Sequence, residues 1–224
     1  MHRTISLGRC SMAVALATIL LTCPAAGLAQ LGGLPPPPPL PLPSPPAAAS
    51  SAIVGNASAA RVSVLGILGT AVTTALADTG TLSGVNDARD ASTVIGSVPS
   101  TLSAETLSAA TVSWVDQVDS EASLTNLSMT VAGIGITADS VIAQASQVLG
   151  AAGSGTSYID NLSINGTPIA VTGAPNQAVW IPGGQVIINE QTVSSTGTAV
   201  VNALHVAITG VADVVIASAT AGIS

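Results

Sequence analysis

Asp160-Asn161-Leu162-Ser163-Ile164-Asn165-Gly166-Thr167-Pro168-Ile169-Ala170-Val171 is the stretch whose reading decides the fold. Asn-Gly between two β-prone runs is the strongest short-range hairpin signal, because a type I′ turn needs φ > 0 at both central residues. With Asn165-Gly166 as the loop, Ile164 lies opposite Thr167, Leu162 opposite Ile169 and Asp160 opposite Val171. A two-residue period then puts Leu162, Ile164, Ile169 and Val171 on one face. Ser163 and Pro168 face each other on the other side, as a non-hydrogen-bonded pair. The missing N–H of Pro168 places Thr167–Thr172 at a sheet edge or a bulge.

The same grammar continues to the end of the chain. Ile181-Pro182-Gly183-Gly184 fits a type II turn, with Pro setting φ at the second position and Gly taking φ > 0 at the third. It joins Ala178–Ile181 to Gln185–Val193. Ser194–Gly197 is a second turn, and Gly210-Val211 reads as a two-residue turn between the last two strands. Those strands are apolar on both alternations (Val200, Val201, Leu204, Val206, Ile208; then Val211, Val214, Val215, Ile216), which suits strands covered on both faces.

Upstream the pattern is less regular. Ala59–Ala77 reads as two strands around Gly66 or Gly69, with an amphipathic helix as the alternative. Asp78–Ser100 reads as a turn-rich passage. Thr101–Gln117 alternates like a strand, although Leu102–Ala110 also fits a short helix capped by Thr101 or Ser103. Ser120–Gln147 is long and β-like, and Ala151–Ser157 is a flexible break. One internal repeat stands out. Leu124-Thr125-Asn126-Leu127-Ser128 matches Ile159-Asp160-Asn161-Leu162-Ser163 at an offset of 35 residues, which suggests two equivalent hairpins.

The front of the chain reads as targeting and spacing. Met1–Ala29 has a basic start (His2, Arg3, Arg9), an apolar block at Met12–Leu21 too short to span a bilayer, and small residues at Gly27 and Ala29. This is the pattern of a secretory signal peptide cut after Ala29. Lipidation at Cys23 is an alternative, and Thr22 is a poor residue to precede it. Residues 30–50 contain LPPPPPLPLPSPPAAASS, a spacer that favours extended polyproline II. Residues 51–224 remain, enough for one domain and one core.

Composition bounds the chemistry. Both cysteines, Cys10 and Cys23, lie in the leader, so the secreted chain is expected to have no disulfide and no thiolate metal site. Arg3 and Arg9 leave with it, and there is no lysine; two arginines against eleven acids give a formal charge of −9. That balance opposes nucleic acid and anionic lipid as partners. With no Phe, one Tyr and two Trp, the core must be built from Ala, Val, Ile, Leu and Thr, whose β-branched members favour the pleated backbone. The fold expected is all-β, an antiparallel β-sandwich, with a β-helix or solenoid as the alternative.

Candidate sites are few. His205 is the one histidine beyond the leader, and no Gly-x-Ser-x-Gly elbow accompanies it. It reads most simply as one polar position on an alternating strand, and no catalytic residue, metal or cofactor is assigned. Asn86-Asp87-Ala88-Arg89-Asp90 and the run Asp116–Glu121 gather the oxygen ligands that Ca²⁺ requires, with Asp116, Asp119 and Glu121 the weak metal candidates. Neither run follows the spacing of a known calcium loop, and solvated surface is the plainer reading. Trp180 and Tyr158 are weak candidates for a sugar-stacking platform. Asn189 and Glu190, next to Gln191, read as the polar end of a strand.

Four segments carry a family resemblance: ARDASTVIGSVPSTLSAETLSA (Ala88–Ala109), SEASLTNLSMTVAGIGITADSVIAQAS (Ser120–Ser146), INGTPIAVTGAPNQAVWIPGGQVIINEQT (Ile164–Thr192) and VVNALHVAITGVADVVIASATAGI (Val200–Ile223). In these the chain resembles the secreted bacterial choice-of-anchor P proteins. The resemblance implies a β-rich domain at the cell surface, fused in different members to different anchors. It implies no activity and supplies no catalytic residues. Ser224 follows no apolar tail or sorting motif, so release or non-covalent attachment is expected rather than covalent anchoring. The function expected is a secreted, non-enzymatic structural or adhesive role toward an unknown surface or matrix component, without an integral membrane span; the alternative is a carbohydrate- or calcium-binding module. Mass spectrometry of the secreted product is expected to find a chain beginning at Gln30, and an intact or lipid-modified start would overturn that cut.

Overall fold

The computed structural model describes residues 52–65 and 70–224; the expected leader, its expected cut after Ala29 and the proline-rich stretch lie outside them. Thirteen strands follow in order: β1 (Ile53–Leu65), β2 (Ala71–Asp78), β3 (Ala88–Val98), β4 (Leu102–Ser113), β5 (Gln117–Val131), β6 (Ile134–Val148), β7 (Ser154–Asp160), β8 (Ser163–Ile164), β9 (Thr167–Pro168), β10 (Gln177–Ile181), β11 (Gly184–Val193), β12 (Ala199–Ile208) and β13 (Ala212–Ile223). One sheet, A, has the order β10-β11-β12-β13-β1-β2. The other, B, runs β3-β4-β5-β6-β8-β9, with β7 also pairing β6. Every pairing is antiparallel. Sheet A packs on sheet B chiefly through β13 and β1 against β4, β5 and β6. The molecule is therefore a β-sandwich; the β-helix alternative fails, because its rungs would pair in parallel.

The Asn165-Gly166 hairpin forms as its sequence dictates. Both residues have positive φ, 50° and 74°, and Ile164 pairs with Thr167 and Ser163 with Pro168. Ile169 N–H donates to the Leu162 carbonyl at 2.8 Å. β9 is the edge of its sheet, where the missing N–H of Pro168 costs nothing. The pairing does not extend to Asp160 and Val171, because Asp160 pairs with Ser140 of β6 instead. Ile181–Gly184 is a tight turn with Gly183 at φ 78°. Ile208 pairs with Ala212, so the last turn holds three residues, Thr209–Val211, rather than Gly210-Val211 alone.

Three upstream readings are corrected. Asp78–Ser100 contains an eleven-residue strand, β3. Its alternation is broken at Val94 and Ile95, both exposed (77% and 71%), and as an edge strand it buries little. The helical option at Leu102–Ala110 fails: the segment is β4, and the three-residue step from Ala104 to Leu107 mimics helical spacing. Ala151–Ser157 is not a free break, since β7 starts at Ser154. Gly155 is glycine because a Cβ there would strike Val201 of β12, which packs directly over it.

The step at Ala104 and Leu107 belongs to a pattern shared by all the long strands. In sheet B the buried series steps by three at one level: Ala104 to Leu107, Leu124 to Leu127, Ala138 to Val141, and Ile159 to Leu162 between β7 and β8. In sheet A two neighbours are buried together at the corresponding level: Ala59-Ala60, Ile188-Asn189, Ala203-Leu204 and Ile216-Ala217. Left-handed residues mark this level: Thr106, Asn126 and Asn161 in sheet B, and Ala77, Asn189 and Ala217 in sheet A, with φ between 46° and 53°. An L-residue in this region costs roughly 1–2 kcal/mol, less for Asn, whose short side chain bonds locally. The 35-residue repeat is explained here, because Asn126 and Asn161 take the same conformation at φ 49° and 51°. The hairpins that follow are not equivalent: β5 and β6 turn at Ala132-Gly133, 33 residues before Asn165-Gly166 rather than 35.

The two sheets are also tied by buried polar side chains. Gln147 of β6 accepts from Ile223 N–H (2.9 Å) and donates to the carbonyls of Ala151 (2.9 Å) and Thr196 (3.3 Å). Ser120 of β5 donates to the Thr220 carbonyl at 2.6 Å and bonds Thr111 of β4 at 2.7 Å. Ser58 is buried with its hydroxyl unpartnered among the described residues. Removing one partner of a buried hydrogen bond strands the other. Gln147→Leu is therefore expected to lower unfolding free energy by about 1–3 kcal/mol, whereas Ser58→Ala is neutral or stabilising, both read from urea titrations.

Candidate functional site

Two polar regions lie on the outward faces of the sandwich. On sheet A, Glu190 and Asn202 are paired residues of β11 and β12, and His205 lies three residues beyond Asn202. In an unbroken strand residues three apart face opposite sides. The phase shift at Ala203-Leu204 turns both outward, and both reach Glu190. Asn202 Nδ2 donates to Glu190 Oε2 at 2.6 Å, and His205 Nδ1 lies 3.0 Å from the same oxygen. His205 Nε2 lies 3.0 Å from Asp213 Oδ2, and Ser218 donates to Asn202 Oδ1 at 2.7 Å.

The protonation of this cluster follows from its geometry. Carboxylate oxygens only accept, and neutral imidazole has a single N–H. Both contacts of His205 are satisfied together only by the imidazolium. Burial pushes its pKa down, but the hydrogen bonds and charges of Asp213 and Glu190 outweigh that and raise it above the ordinary value. Asp213 was within reach of sequence reasoning, since it pairs with Ala207, two residues from His205 across one hairpin. Glu190 was not, because its approach depends on the phase shift. Asn189 and Glu190 are also not the end of a strand: they lie inside β11, with Asn189 buried and left-handed, donating to the Gly173 carbonyl at 3.0 Å.

On sheet B an open trough of about 650 Å³ crosses five strands. Two outward rungs form it: Asp90, Ala110, Glu121, Gln144 and Thr156 across β3 to β7, and beside them Ala88, Val112, Asp119, Ser146 and Ser154. Small side chains make the floor. Gln144 Nε2 donates to Glu121 Oε2 at 2.7 Å, and Gln117 Nε2 donates to both oxygens of Asp119 at 3.0 and 2.9 Å. Asp119 and Glu121 thus share a face, as their spacing predicts. Asp116 sits in the turn before β5, where its carbonyl accepts from Leu149 N–H at 2.7 Å. Among the described residues no group of three or more His, Cys, Asp or Glu is placed to hold a metal ion.

Asp87 belongs to a structural loop at the start of β3. The N–H and hydroxyl of Ser83 (2.7 and 2.8 Å) and Arg89 Nε (3.2 Å) all donate to it, and they hold its carboxyl down to about 2. Trp180 (80% exposed) stands on the outward side of sheet A's edge strand β10. Tyr158 (57% exposed) stands outward on β7 in sheet B, opposite Ile142 and one rung from Gln144 and Thr156. The two aromatics are therefore not brought together into one platform. Among the described residues no helix is long and apolar enough to cross a membrane.

Comparison with known proteins finds no matching family model, no similar curated protein and no similar solved structure.

The paired histidine generates a pH dependence with a definite sign. Because the folded pKa of His205 is raised above its unfolded value near 6.5, the stabilisation is fully present below that pH and is lost as pH rises through the folded pKa. Urea unfolding from pH 5.5 to 9 is expected to show this decline. In His205→Gln that component of the pH slope disappears.

Proposed function

We propose that the chain is a secreted, non-enzymatic structural or adhesive module that acts at the cell surface or in the extracellular matrix, in the manner of the choice-of-anchor P proteins it resembles. The carrying observation is the state of His205. Both of its ring nitrogens are occupied by Glu190 and Asp213, so it has no free lone pair for a general base, and the acids beside it serve as its partners. Ser218 beside the cluster is engaged too, as it donates to Asn202. The sequence supports the location: a basic and apolar leader with small residues before Gln30, then a proline spacer suited to holding a domain off a surface. The acidic balance beyond the leader disfavours nucleic acid as a partner.

The second reading, a carbohydrate- or calcium-binding module, is favoured in its carbohydrate form by the trough on sheet B. Its side chains offer carboxylates and carboxamides at an open surface, while metal binding lacks a ligand set among the described residues.

Purified secreted chain, added back to cells or cell-wall preparations of the producing organism, is expected to be retained on the surface fraction. Panels of polysaccharide, peptide and ester substrates are expected to yield no product. Turnover that vanishes in His205→Ala would overturn the non-enzymatic reading.

A further inference from the structure

We infer that the trough on the outward face of sheet B is a binding site for a neutral oligosaccharide; this rests on the non-enzymatic binding role proposed above and names its ligand class. The trough crosses five strands, roughly 20 Å at the usual spacing of about 4.8 Å per strand. That is a path for a short linear chain rather than a pocket for one small molecule.

Its chemistry selects the ligand. The floor is built of small side chains, Ala88, Ala110 and Val112 on β3 and β4 and Ser146 and Ser154 on β6 and β7, which have little side-chain entropy to lose. Glu121, Gln144 and Thr156 form a hydrogen-bonded ladder across β5, β6 and β7, with Thr156 Oγ1 3.5 Å from Gln144 Oε1. Asp119 is held by Gln117 in the same way. These planar groups are pre-ordered, and each carboxylate oxygen retains acceptor capacity beyond its one amide partner. Rows of fixed acceptors match the donors that a sugar ring presents as hydroxyls. Tyr158, exposed on the adjacent outward rung of β7, adds an aromatic side chain beside the trough on which an apolar sugar face can stack.

Other occupants fit less well. Asp90, Asp119 and Glu121 repel an anion, and the one cation at the trough, Arg89, is already bound to Asp87. A peptide adding as a strand would pair at the free edges of β3 or β7, alongside the strands, and would not lie across the floor over β4, β5 and β6, which are paired on both sides.

The test uses the full secreted chain and three neutral tetrasaccharides, cellotetraose, chitotetraose and maltotetraose, with binding mapped by amide chemical shifts and measured by calorimetry. At least one is expected to shift Glu121, Gln144 and Thr156. Ala110→Trp, which fills the floor from an exposed position, is expected to weaken that binding about tenfold or more (about 1.4 kcal/mol) with an unchanged unfolding midpoint. Gln144→Leu weakens it as well, and Trp180→Ala, on the other sheet, leaves it unchanged. The inference is overturned if none of the three sugars shifts the trough, if the shifts map elsewhere, if Ala110→Trp binds as the parent does, or if only Ca²⁺ or a basic peptide binds. Surface retention of the same variants separates the two levels. Retention without sugar binding removes the trough assignment and leaves the adhesive role, whereas cleavage of a bound tetrasaccharide removes the non-enzymatic role and leaves the trough.

Discussion

A strand that alternates without interruption must keep one set of side chains on one face, and no long strand here does so. At a single level crossing both sheets the alternation changes phase, marked by left-handed residues at Thr106, Asn126 and Asn161 on one side and Ala77, Asn189 and Ala217 on the other. A phase shift in one strand alone would point its apolar residues at solvent for the rest of its length. The shift is tolerated because neighbouring strands make it together, so the ladders resume beyond it. Ile216 pairs with Leu204 and Ala60 above the level, and Ala219 with Val201 and Ala57 below it.

The side chains at this level follow from that constraint. Sheet A buries adjacent residues at this level in β1, β11, β12 and β13, and several are alanines (Ala59, Ala60, Ala203, Ala217). Larger neighbours would overpack the space between the sheets. In sheet B the two intervening residues face outward, and asparagines that adopt the left-handed turn bond to nearby acids: Asn126 to Glu105 at 2.8 Å and Asn161 to Asp139 at 2.7 Å. A protein with no Phe and few aromatics thus reaches a close-packed interior by bringing small side chains near one another. Buried hydrogen bonds from Gln147 and Ser120 join the sheets where aliphatic bulk is scarce.

The same device organises one of the two polar surfaces. On sheet A it turns Asn202 and His205 to one side, so that a lone histidine becomes the centre of a carboxylate-flanked cluster. On sheet B the rungs that run unbroken from β3 to β7 keep Asp90, Glu121 and Gln144 in line, with Ala110 between the first two. The first arrangement occupies both nitrogens of its histidine with its own hydrogen bonds. The second leaves acceptor capacity facing solvent along an open trough.

Residue order by itself determined the local features. Asn165-Gly166 needed only its own φ preferences to make a hairpin and Pro168 its missing N–H to sit at an edge, and the runs in Val200–Ile216 that are apolar on both alternations are inner strands of their sheet. The all-β class followed from the same short-range physics, as did the outward placement of Asp119 and Glu121 on one strand. The tertiary structure decided what depends on strands acting together. β3 was hidden because its edge position and its break at Val94-Ile95 erase the period. The Leu102–Ala110 segment looked helical because a phase shift produces the three-residue spacing of a helix. The partners of His205 and the line of the trough were set by register between strands far apart in sequence, and no local preference encodes register.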